Sequence, residues 1–232
     1  MPTALIIGAR NFGYAIIERL LTDHWTVVGA ARSAATLERV RAAGAEGTEV
    51  DVTDQGSVLG ALRDAAARHG RVDLAVNAAS PYAAGASGPF GGGPLWQASP
   101  DDFDRWAVRP MLGAFAFLSA ATRFFAEQGG PATIIQVTGG SARRAMPERG
   151  LWAAGSFGVR ALTQAAALEL RERQVHVSLL IVDAVIDRTG AGDARSADPG
   201  SLADTVAFLA AQGPRAMTHE LQVTPALDTW VP

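Results

Sequence analysis

Short apolar segments alternate with amphipathic helical segments along the whole chain, and this alternation constrains the fold more than any other feature. Residues 4–9 (ALIIGA) form a continuous apolar run, as is typical of a buried parallel strand. Residues 12–24 then carry apolar side chains at helical spacing. The pattern predicts an α/β fold, a doubly wound and mainly parallel sheet with helices on both faces. The seven predicted strands are 4–9, 25–31, 47–52, 72–79, 132–140, 175–185 and 220–224.

The chain is long enough for one large domain. Its 232 residues are 48% hydrophobic and 19% charged, which supports a sizeable core. Residues 80–100 are rich in Gly, Pro and Ser, and this composition indicates either an ordered loop beside a site or a flexible connection. Because no second folding unit follows this segment, we predict a single Rossmann-type domain over residues 1–232.

The composition excludes several classes of function. A net charge of −3 gives no general attraction to nucleic acid, and the absence of cysteine excludes disulfides and thiolate chemistry. The four histidines lack metal-ligand spacing, so no metal site is expected. No apolar run is long enough for a membrane span, and no basic segment precedes the first strand, so a cytoplasmic protein is expected. All 20 basic residues are arginine, which excludes any mechanism that needs a lysine.

The turn after the first strand, GARNFG, has the features of a dinucleotide site. Gly8 can turn tightly, Gly13 can admit close packing of helix on strand, and the helix N-terminus offers N–H groups to a pyrophosphate. Where an acidic residue would bind a ribose 2′-hydroxyl, the chain has Ala31 followed by Arg32. Arginine without the acid favours a 2′-phosphate, with Arg10 as a second contact, so we predict NADP(H) rather than NAD(H). A purely structural turn and a solvated Arg32 remain the alternatives.

Six segments, in order and spacing, resemble the short-chain dehydrogenase/reductase family along nearly the whole chain. They are GARNFGYAIIERL, VDVTD, VDLAVNAAS, DDFDRWAVRPMLGAF, ATIIQVTGGSA and LWAAGSFGVRALTQAAALEL. The glycine turn is one residue shorter than the family pattern, with Asn11 at a glycine place, and Ala78 and Ser80 depart from the N-N-A-G segment. The turn and the resemblance together indicate a cofactor site formed by Gly8, Arg10, Asn11, Phe12, Gly13, Arg32, Asp51, Val52, Asn77, Ala78 and Ala79.

The resemblance also implies a catalytic tetrad of Asn, Ser, Tyr and Lys, and none of these residue types is present at its place. The corresponding positions are Pro110, Gly139, Trp152 and Ser156, and the expected P-G segment after the sixth strand reads Val182-Asp183. An indole N–H does not titrate near neutral pH, so Trp152 cannot act as the acid or base. Pro110 is expected to kink the predicted helix 101–128 where the family has a local distortion.

Other residues could replace the missing proton donors, although each also has an ordinary structural explanation. Tyr82 follows the fourth strand and is the leading candidate, but it can equally be a packed loop aromatic. The hydroxyl groups of two residues beside Gly139 could bond a substrate oxygen, and a carboxylate after the sixth strand could act as a base. The substitute candidates are Tyr82, Thr138, Ser141 and Asp183.

The loop 141–150 carries Arg143, Arg144 and Arg149, which either hold an anionic substrate or are solvated. Residues 186–200, where the family has its substrate-covering loop, give no size or charge signature. The substrate therefore stays undefined at this level.

Three functions remain open from the sequence. The first is an NADP(H)-dependent oxidoreductase acting on a small carbonyl or hydroxyl compound by a non-standard mechanism. The second is a catalytically inactive NADP(H)-binding sensor or scaffold. The third is a non-redox cyclase, isomerase or lyase that uses a pocket lined by Trp152 and Trp96. Helices 101–128 and 151–173 are predicted to form a homodimer or homotetramer interface.

Overall fold

A computed structural model of the protein describes residues 1–79 and 89–228. It contains a seven-stranded sheet with strand order β3-β2-β1-β4-β5-β6-β7. All neighbouring strands pair in parallel, and the order reverses between β1 and β4. The elements are β1 Thr3–Ile7, α1 Phe12–Thr22, β2 Thr26–Ala31, α2 Ala34–Ala42, β3 Glu46–Glu49, α3 Gln55–His69, β4 Leu74–Asn77, α4 Pro100–Phe103, α5 Arg109–Gln128, β5 Ala132–Gly139, α6 Gly150–Leu170, β6 Val175–Val182, α7 Pro199–Ala210 and β7 Glu220–Val223.

Helices cover both faces of the sheet, as the apolar runs of the strands predict. Leu5 and Ile7 of β1 point into one core, with side chains of α3, α5 and α6. Ala4 and Ile6, the alternate residues, point into the other core with side chains of α1 and α7. Because successive side chains of a strand point to opposite faces, a strand that is apolar throughout must be buried on both sides.

Several element boundaries differ from the sequence prediction. Strand β4 ends at Asn77 instead of residue 79, and β6 ends at Val182 instead of residue 185. Ser33 stands at the N-cap position of α2, but its hydroxyl makes no capping bond. Asp54 does cap α3, accepting from the Gly56 and Ser57 N–H groups at 2.8 and 3.3 Å. Apolar runs continue past the point where strands separate, so composition alone marks strand ends poorly.

The predicted helix 101–128 is interrupted just before Pro110. A short α4 is followed by a π-helical turn over Asp104–Val108, and α5 then begins at Arg109 with Pro110 in its first turn. Proline has no N–H to bond the carbonyl group four residues earlier, and its ring clashes with that carbonyl in a regular helix. The wider π turn lies where this conflict would arise, so the expected distortion is present.

His176, buried near the beginning of β6, predicts a pH dependence of stability. Its side chain is 1% exposed, and its Nε2 lies 2.9 Å from the Thr218 carbonyl oxygen. Burial lowers the pKa of His176, the Thr218 carbonyl partly opposes this, and the neighbouring His219 lowers it further. Since the folded state then binds fewer protons than the unfolded state, stability should fall as the pH drops below about 6.5.

Denaturant midpoints at pH 7.5, 6.5 and 5.5 measure this effect. His176→Gln should flatten the pH profile in that window. His24→Asn is the matched control, because His24 is exposed with φ of 61°, a conformation that asparagine tolerates. An unchanged profile in His176→Gln would show that the acid sensitivity comes from other groups.

Candidate functional site

The turn between β1 and α1 lies where the strand order reverses, which is where open α/β sheets bind ligands. Gly8 has φ of +93°, and the Arg10 N–H donates to its carbonyl oxygen at 2.8 Å. Asn11 precedes α1 but makes no side-chain capping bond. Among the described residues, no acceptor bonds the backbone N–H groups of Phe12 and Gly13. The turn therefore presents free N–H groups at a helix N-terminus, as a pyrophosphate requires.

The neighbouring end of β4 packs directly against this turn. A Cβ on Gly8 would lie 2.5 Å from the Ala79 backbone nitrogen, so the two backbones touch. Asn77 is 1% exposed; its Nδ2 donates to Gln136 Oε1 at 3.0 Å, and its Oδ1 accepts from the Ala79 N–H at 3.1 Å. The Asn77 side chain thus positions Ala78 and Ala79 beside the glycine turn and is itself too buried to contact a ligand.

Three arginines lie around the glycine turn, and the sequence analysis found two of them. Arg10 and Arg32 are exposed, and Arg32 follows Ala31 at the end of β2. The third, Arg39 of α2, stacks on the Tyr14 ring with its guanidinium carbon 3.5 Å from the ring centroid, and donates to the Arg10 carbonyl at 3.3 Å. Tyr14 therefore holds a cation beside the turn. No short-range signal marks this contact, because it joins two helices.

Asp51 and Val52 follow β3 at the same edge of the sheet. The Asp51 carboxylate accepts from the N–H and hydroxyl of Thr53 at 2.9 and 2.8 Å. These two bonds lower the pKa of Asp51, and the charge of Arg32 contributes in the same direction. Val52 is 7% exposed, so a ligand beside it would meet mainly its backbone. The segment after β3 therefore presents the ionised Asp51 carboxylate in a turn that its hydrogen bonds to Thr53 stabilise.

Two of the tetrad positions, Gly139 and Trp152, pack against each other instead of forming a proton relay. A Cβ on Gly139, at the end of β5, would lie 2.6 Å from Cζ2 of Trp152. The indole therefore occupies the space that a side chain at position 139 would need. Ser156 is 4% exposed and lies one helical turn after Trp152 in α6, and Pro110 follows the π turn. None of these four side chains can titrate near neutral pH.

Asp183 lies beside Gly140, which follows Gly139 in the chain. Its carboxylate is packed so close to Gly140 that a Cβ there would overlap Oδ1. Oδ2 accepts from Nε2 of Gln222 at 3.0 Å, and the Asp183 N–H bonds the Val223 carbonyl. Among the described residues, no ion pair joins Asp183 to an arginine. The consecutive residues Gly139 and Gly140 thus lie against an indole and a carboxylate at the carboxyl end of the sheet.

The other candidates for a substitute proton donor differ in their surroundings. Tyr82 and Ser80 lie outside the described residues. Ser141 is 2% exposed, and its Oγ has no hydrogen-bond partner among the described residues, whereas Thr138 is half-buried. Trp96, which the third hypothesis places in a pocket with Trp152, is 83% exposed to solvent when only the described residues are considered.

The loop arginines do not gather at one point. Arg143 pairs with Glu220 at 3.0 Å, and Glu220 also binds Arg160 of α6 at 2.7 Å. Arg149 lies 5.4 Å above the Phe90 ring. Phe90 in turn packs edge-to-face on Trp106 and Trp152, with centroid distances of 5.0 and 4.8 Å. Phe90 was not predicted from the sequence, because this residue lies in an irregular glycine-rich segment.

Two further properties of the described part of the chain bear on function. Residues 1–79 and 89–228 contain no group of three side chains placed to hold a metal ion. No helix within these ranges has the length and apolarity needed to cross a membrane.

The chain is similar in sequence to proteins of one known family. The family profile described as short chain dehydrogenase matches residues 2–198. A carboxyl-CoA reductase of Mycobacterium tuberculosis, named (5R,7aS)-5-hydroxy-7a-methyl-1-oxo-2,3,5,6,7,7a-hexahydro-1H-indene-carboxyl-CoA reductase, is 29% identical over 74% of this chain and 68% of its own length. L-2,3-butanediol dehydrogenase of Corynebacterium glutamicum is 30% identical over 70% of this chain, and the match spans 63% of that relative.

Solved structures share the whole architecture. An alcohol dehydrogenase from the archaeon Thermococcus sibiricus, complexed with 5-hydroxy-NADP, superimposes with a TM-score of 0.82 at 23% identity and full coverage of both chains. A metagenomic short-chain oxidoreductase in complex with NADP gives 0.73 at 27% identity, covering 97% of this chain and 98% of that one.

Proposed function

The chain belongs to the short chain dehydrogenase family, and from that premise we propose that it is an NADP(H)-dependent oxidoreductase that transfers hydride without the tetrad's proton relay. The observation that carries the proposal is the contrast between two parts of one crevice. The glycine turn has free N–H groups and is surrounded by arginines, whereas the tetrad positions hold no titratable side chain. The cofactor half of the site has been kept while the acid–base half has been replaced.

The residues of the chain suit the cofactor as follows. The N–H groups of Phe12 and Gly13 would bond the pyrophosphate, and Arg10 and Arg32 would bond a 2′-phosphate. Asp51 lies at the edge where the adenine would rest. When bound, the cofactor supplies a hydride or accepts one. The titration of NADPH and NADH described at the end of the Discussion tests this assignment.

The complex of the metagenomic relative with NADP supports the choice of phosphorylated cofactor, as does Ala31, which leaves no carboxylate to bind the ribose 2′-hydroxyl. Trp152 and Gly139 cannot donate a proton to a reduced carbonyl compound. Any alkoxide formed must therefore take its proton from water or from a group outside the tetrad, and carbonyl reduction should lack the 10²–10⁴-fold advantage, roughly, of a positioned acid.

Arg32→Ala should weaken NADPH binding about 10- to 100-fold, since a charge-assisted hydrogen bond contributes about 1.5–3 kcal/mol. NADH, which lacks the 2′-phosphate, should lose less than about threefold. Calorimetric titration measures both constants. Arg171→Ala, an exposed arginine after α6, is the matched control. Equal losses for NADPH and NADH in Arg32→Ala would remove Arg32 from the phosphate site.

A second function is favoured by one specific observation, the filling of the space above Gly139 by the Trp152 indole. In this alternative the protein binds NADP(H) as a sensor or scaffold and transfers no hydride. The discriminating measurement is the absorbance at 340 nm, which follows NADPH consumption with panels of carbonyl and imine compounds and NADPH formation from NADP⁺ with a panel of hydroxyl compounds. Stoichiometric NADPH binding with no consumption above a protein-free blank would favour the binder.

The exposed apolar side chains of α5 and α6 lead us to propose that these helices form a subunit interface. Leu112 and Phe115 of α5 are 44% and 48% exposed, and Phe157 and Leu168 of α6 are 43% and 71% exposed. Phe115→Glu should convert a dimer or tetramer into smaller species, because it places a charge in an apolar contact. Light scattering measures the mass. Phe208→Glu on α7, 56% exposed, should retain the α5–α6 contact.

A further inference from the structure

The side chains around Gly139 and Gly140 restrict which electrophile this site can reduce. Reduction of a carbonyl compound produces an alkoxide, which needs a proton donor and is repelled by a carboxylate. The side chains nearest to the Cβ positions of these two residues are the Trp152 indole, which does not titrate near neutral pH, and the Asp183 carboxylate. An electrophile that begins positive and ends neutral needs no proton and is stabilised by that carboxylate.

We propose that the hydride acceptor is the carbon of a C=N⁺ bond, in an iminium ion or a protonated imine. This inference rests on the proposed NADP(H) site. The hydride forms a C–H bond at the iminium carbon, the C=N π pair becomes the nitrogen lone pair, and NADPH becomes NADP⁺. The substrate is reduced to a neutral amine, the cofactor is oxidised, and no proton enters or leaves.

The charges near the site suit a cation. The Asp183 carboxylate is half-buried and bonded by the neutral Gln222 amide at 3.0 Å, so its charge is not offset by an arginine among the described residues. Arg143 and Arg160 pair with Glu220, and Arg149 lies over the Phe90 ring, so none of these three arginines forms an ion pair with Asp183. A carboxylate that is partly removed from water and lacks a cationic partner favours a positive ligand beside it.

Aromatic rings complete the cation site. Trp152, which covers Gly139, packs edge-to-face on Phe90, which also contacts Trp106. Ring faces attract cations within about 6 Å. This cluster already holds one, since the Arg149 guanidinium lies 5.4 Å from the Phe90 centroid. The Trp152 indole and the Asp183 carboxylate thus lie against consecutive residues at the end of β5. We expect a flat cation to bind there more tightly than a neutral ketone.

The test compares N-methyl-3,4-dihydroisoquinolinium, a permanent iminium ion, with 1-tetralone, a ketone of similar shape. The intact protein with NADPH should reduce the iminium ion well above the protein-free rate. It should reduce the ketone at least about 100-fold more slowly, because ketone reduction lacks the contribution of a positioned acid. The rate of iminium reduction should be constant between about pH 6.5 and 8.5, because the hydride-transfer step moves no proton and the amine product takes up a proton from water only afterwards. Faster reduction of the ketone would overturn the inference.

A binding measurement separates this inference from the proposed function. N,N-dimethyl-1,2,3,4-tetrahydroisoquinolinium, an unreactive cation, is titrated into the protein–NADPH complex by calorimetry. Asp183→Asn should weaken its binding about tenfold, the effect of one lost charge contact, and leave NADPH affinity unchanged. Asp193→Asn, an exposed loop carboxylate, should change neither.

If Asp183→Asn fails to fold, Trp152→Leu serves as the second variant, because it removes the aromatic face and retains the carboxylate. The cation should then bind about threefold to tenfold more weakly. If the protein binds NADPH but binds the cation no more tightly than neutral 1-tetralone, the inference is overturned and the proposed function is not. Failure to bind NADPH would overturn the proposed function and the inference with it.

Discussion

Gly8→Ala should lower the free energy of unfolding by about 2–5 kcal/mol, the sum of a left-handed backbone for a residue with a Cβ and an overpacked contact. Gly8 has φ of +93°, and its new Cβ would lie 2.5–2.7 Å from backbone atoms of Ala78 and Ala79. These atoms belong to the segment directly after β4, where the Ala79 N–H donates to Asn77 Oδ1 and Asn77 is itself bonded to Gln136 of β5. Neither backbone can move without separating β1 from β4 at the crevice.

Gly60→Ala is the matched control for this substitution. Gly60 lies inside α3, and a Cβ there would meet no atom within 4 Å. Alanine should therefore stabilise the helix by about 0.5–1 kcal/mol. Thermal unfolding of both variants measures the difference, at about 2–4 °C per kcal/mol for a chain of this size. Equal melting temperatures for the two variants would contradict the contact between Gly8 and the end of β4.

Gly139→Ser, which restores a serine at its family position, should destabilise the protein by about 1–3 kcal/mol. The backbone of Gly139 is extended, with φ of −97° and ψ of 171°, so any residue can adopt it. The cost comes from the Trp152 indole, whose Cζ2 would lie 2.6 Å from the new Cβ. Serine at this position is therefore excluded by a neighbouring side chain and not by the fold.

A double-mutant cycle with Trp152→Ala isolates this contact. Trp152→Ala alone loses the packing on Phe90, but Gly139→Ser added to it should cost little, giving an interaction energy of about 1–3 kcal/mol. Denaturant unfolding of the four proteins measures the cycle. Additive effects of the two substitutions would show that position 139 and the indole do not share space.

Much of the fold could be predicted from the sequence, because strands, helices and turns depend on the spacing of apolar residues and on turn-forming residues, which are local properties of the chain. Residues 4–9 predict β1, and the parallel order follows from the alternation with helices. Gly8 and Arg32 are likewise marked by their positions next to strand ends. Strand boundaries were predicted less accurately, as at β6, which ends at Val182 although the apolar residues Ala184 and Val185 follow Asp183.

Contacts between distant segments could not be predicted. Arg39 stacks on Tyr14 from another helix, and Phe90 reaches Trp152 from an irregular loop. The loss of the tetrad is visible in the sequence, but the packing of Trp152 on Gly139 and of Asp183 on Gly140 is not. Such contacts depend on how strand ends and helices meet, which no local pattern encodes.

The central claim is that the crevice keeps an NADP(H) site although its proton-transfer residues are gone. Calorimetric titration of NADPH and of NADH into the unmodified protein tests it most directly. We expect one NADPH per chain, bound at least about tenfold more tightly than NADH because of the 2′-phosphate contact. No measurable binding of either nucleotide, or tighter binding of NADH, would contradict the account.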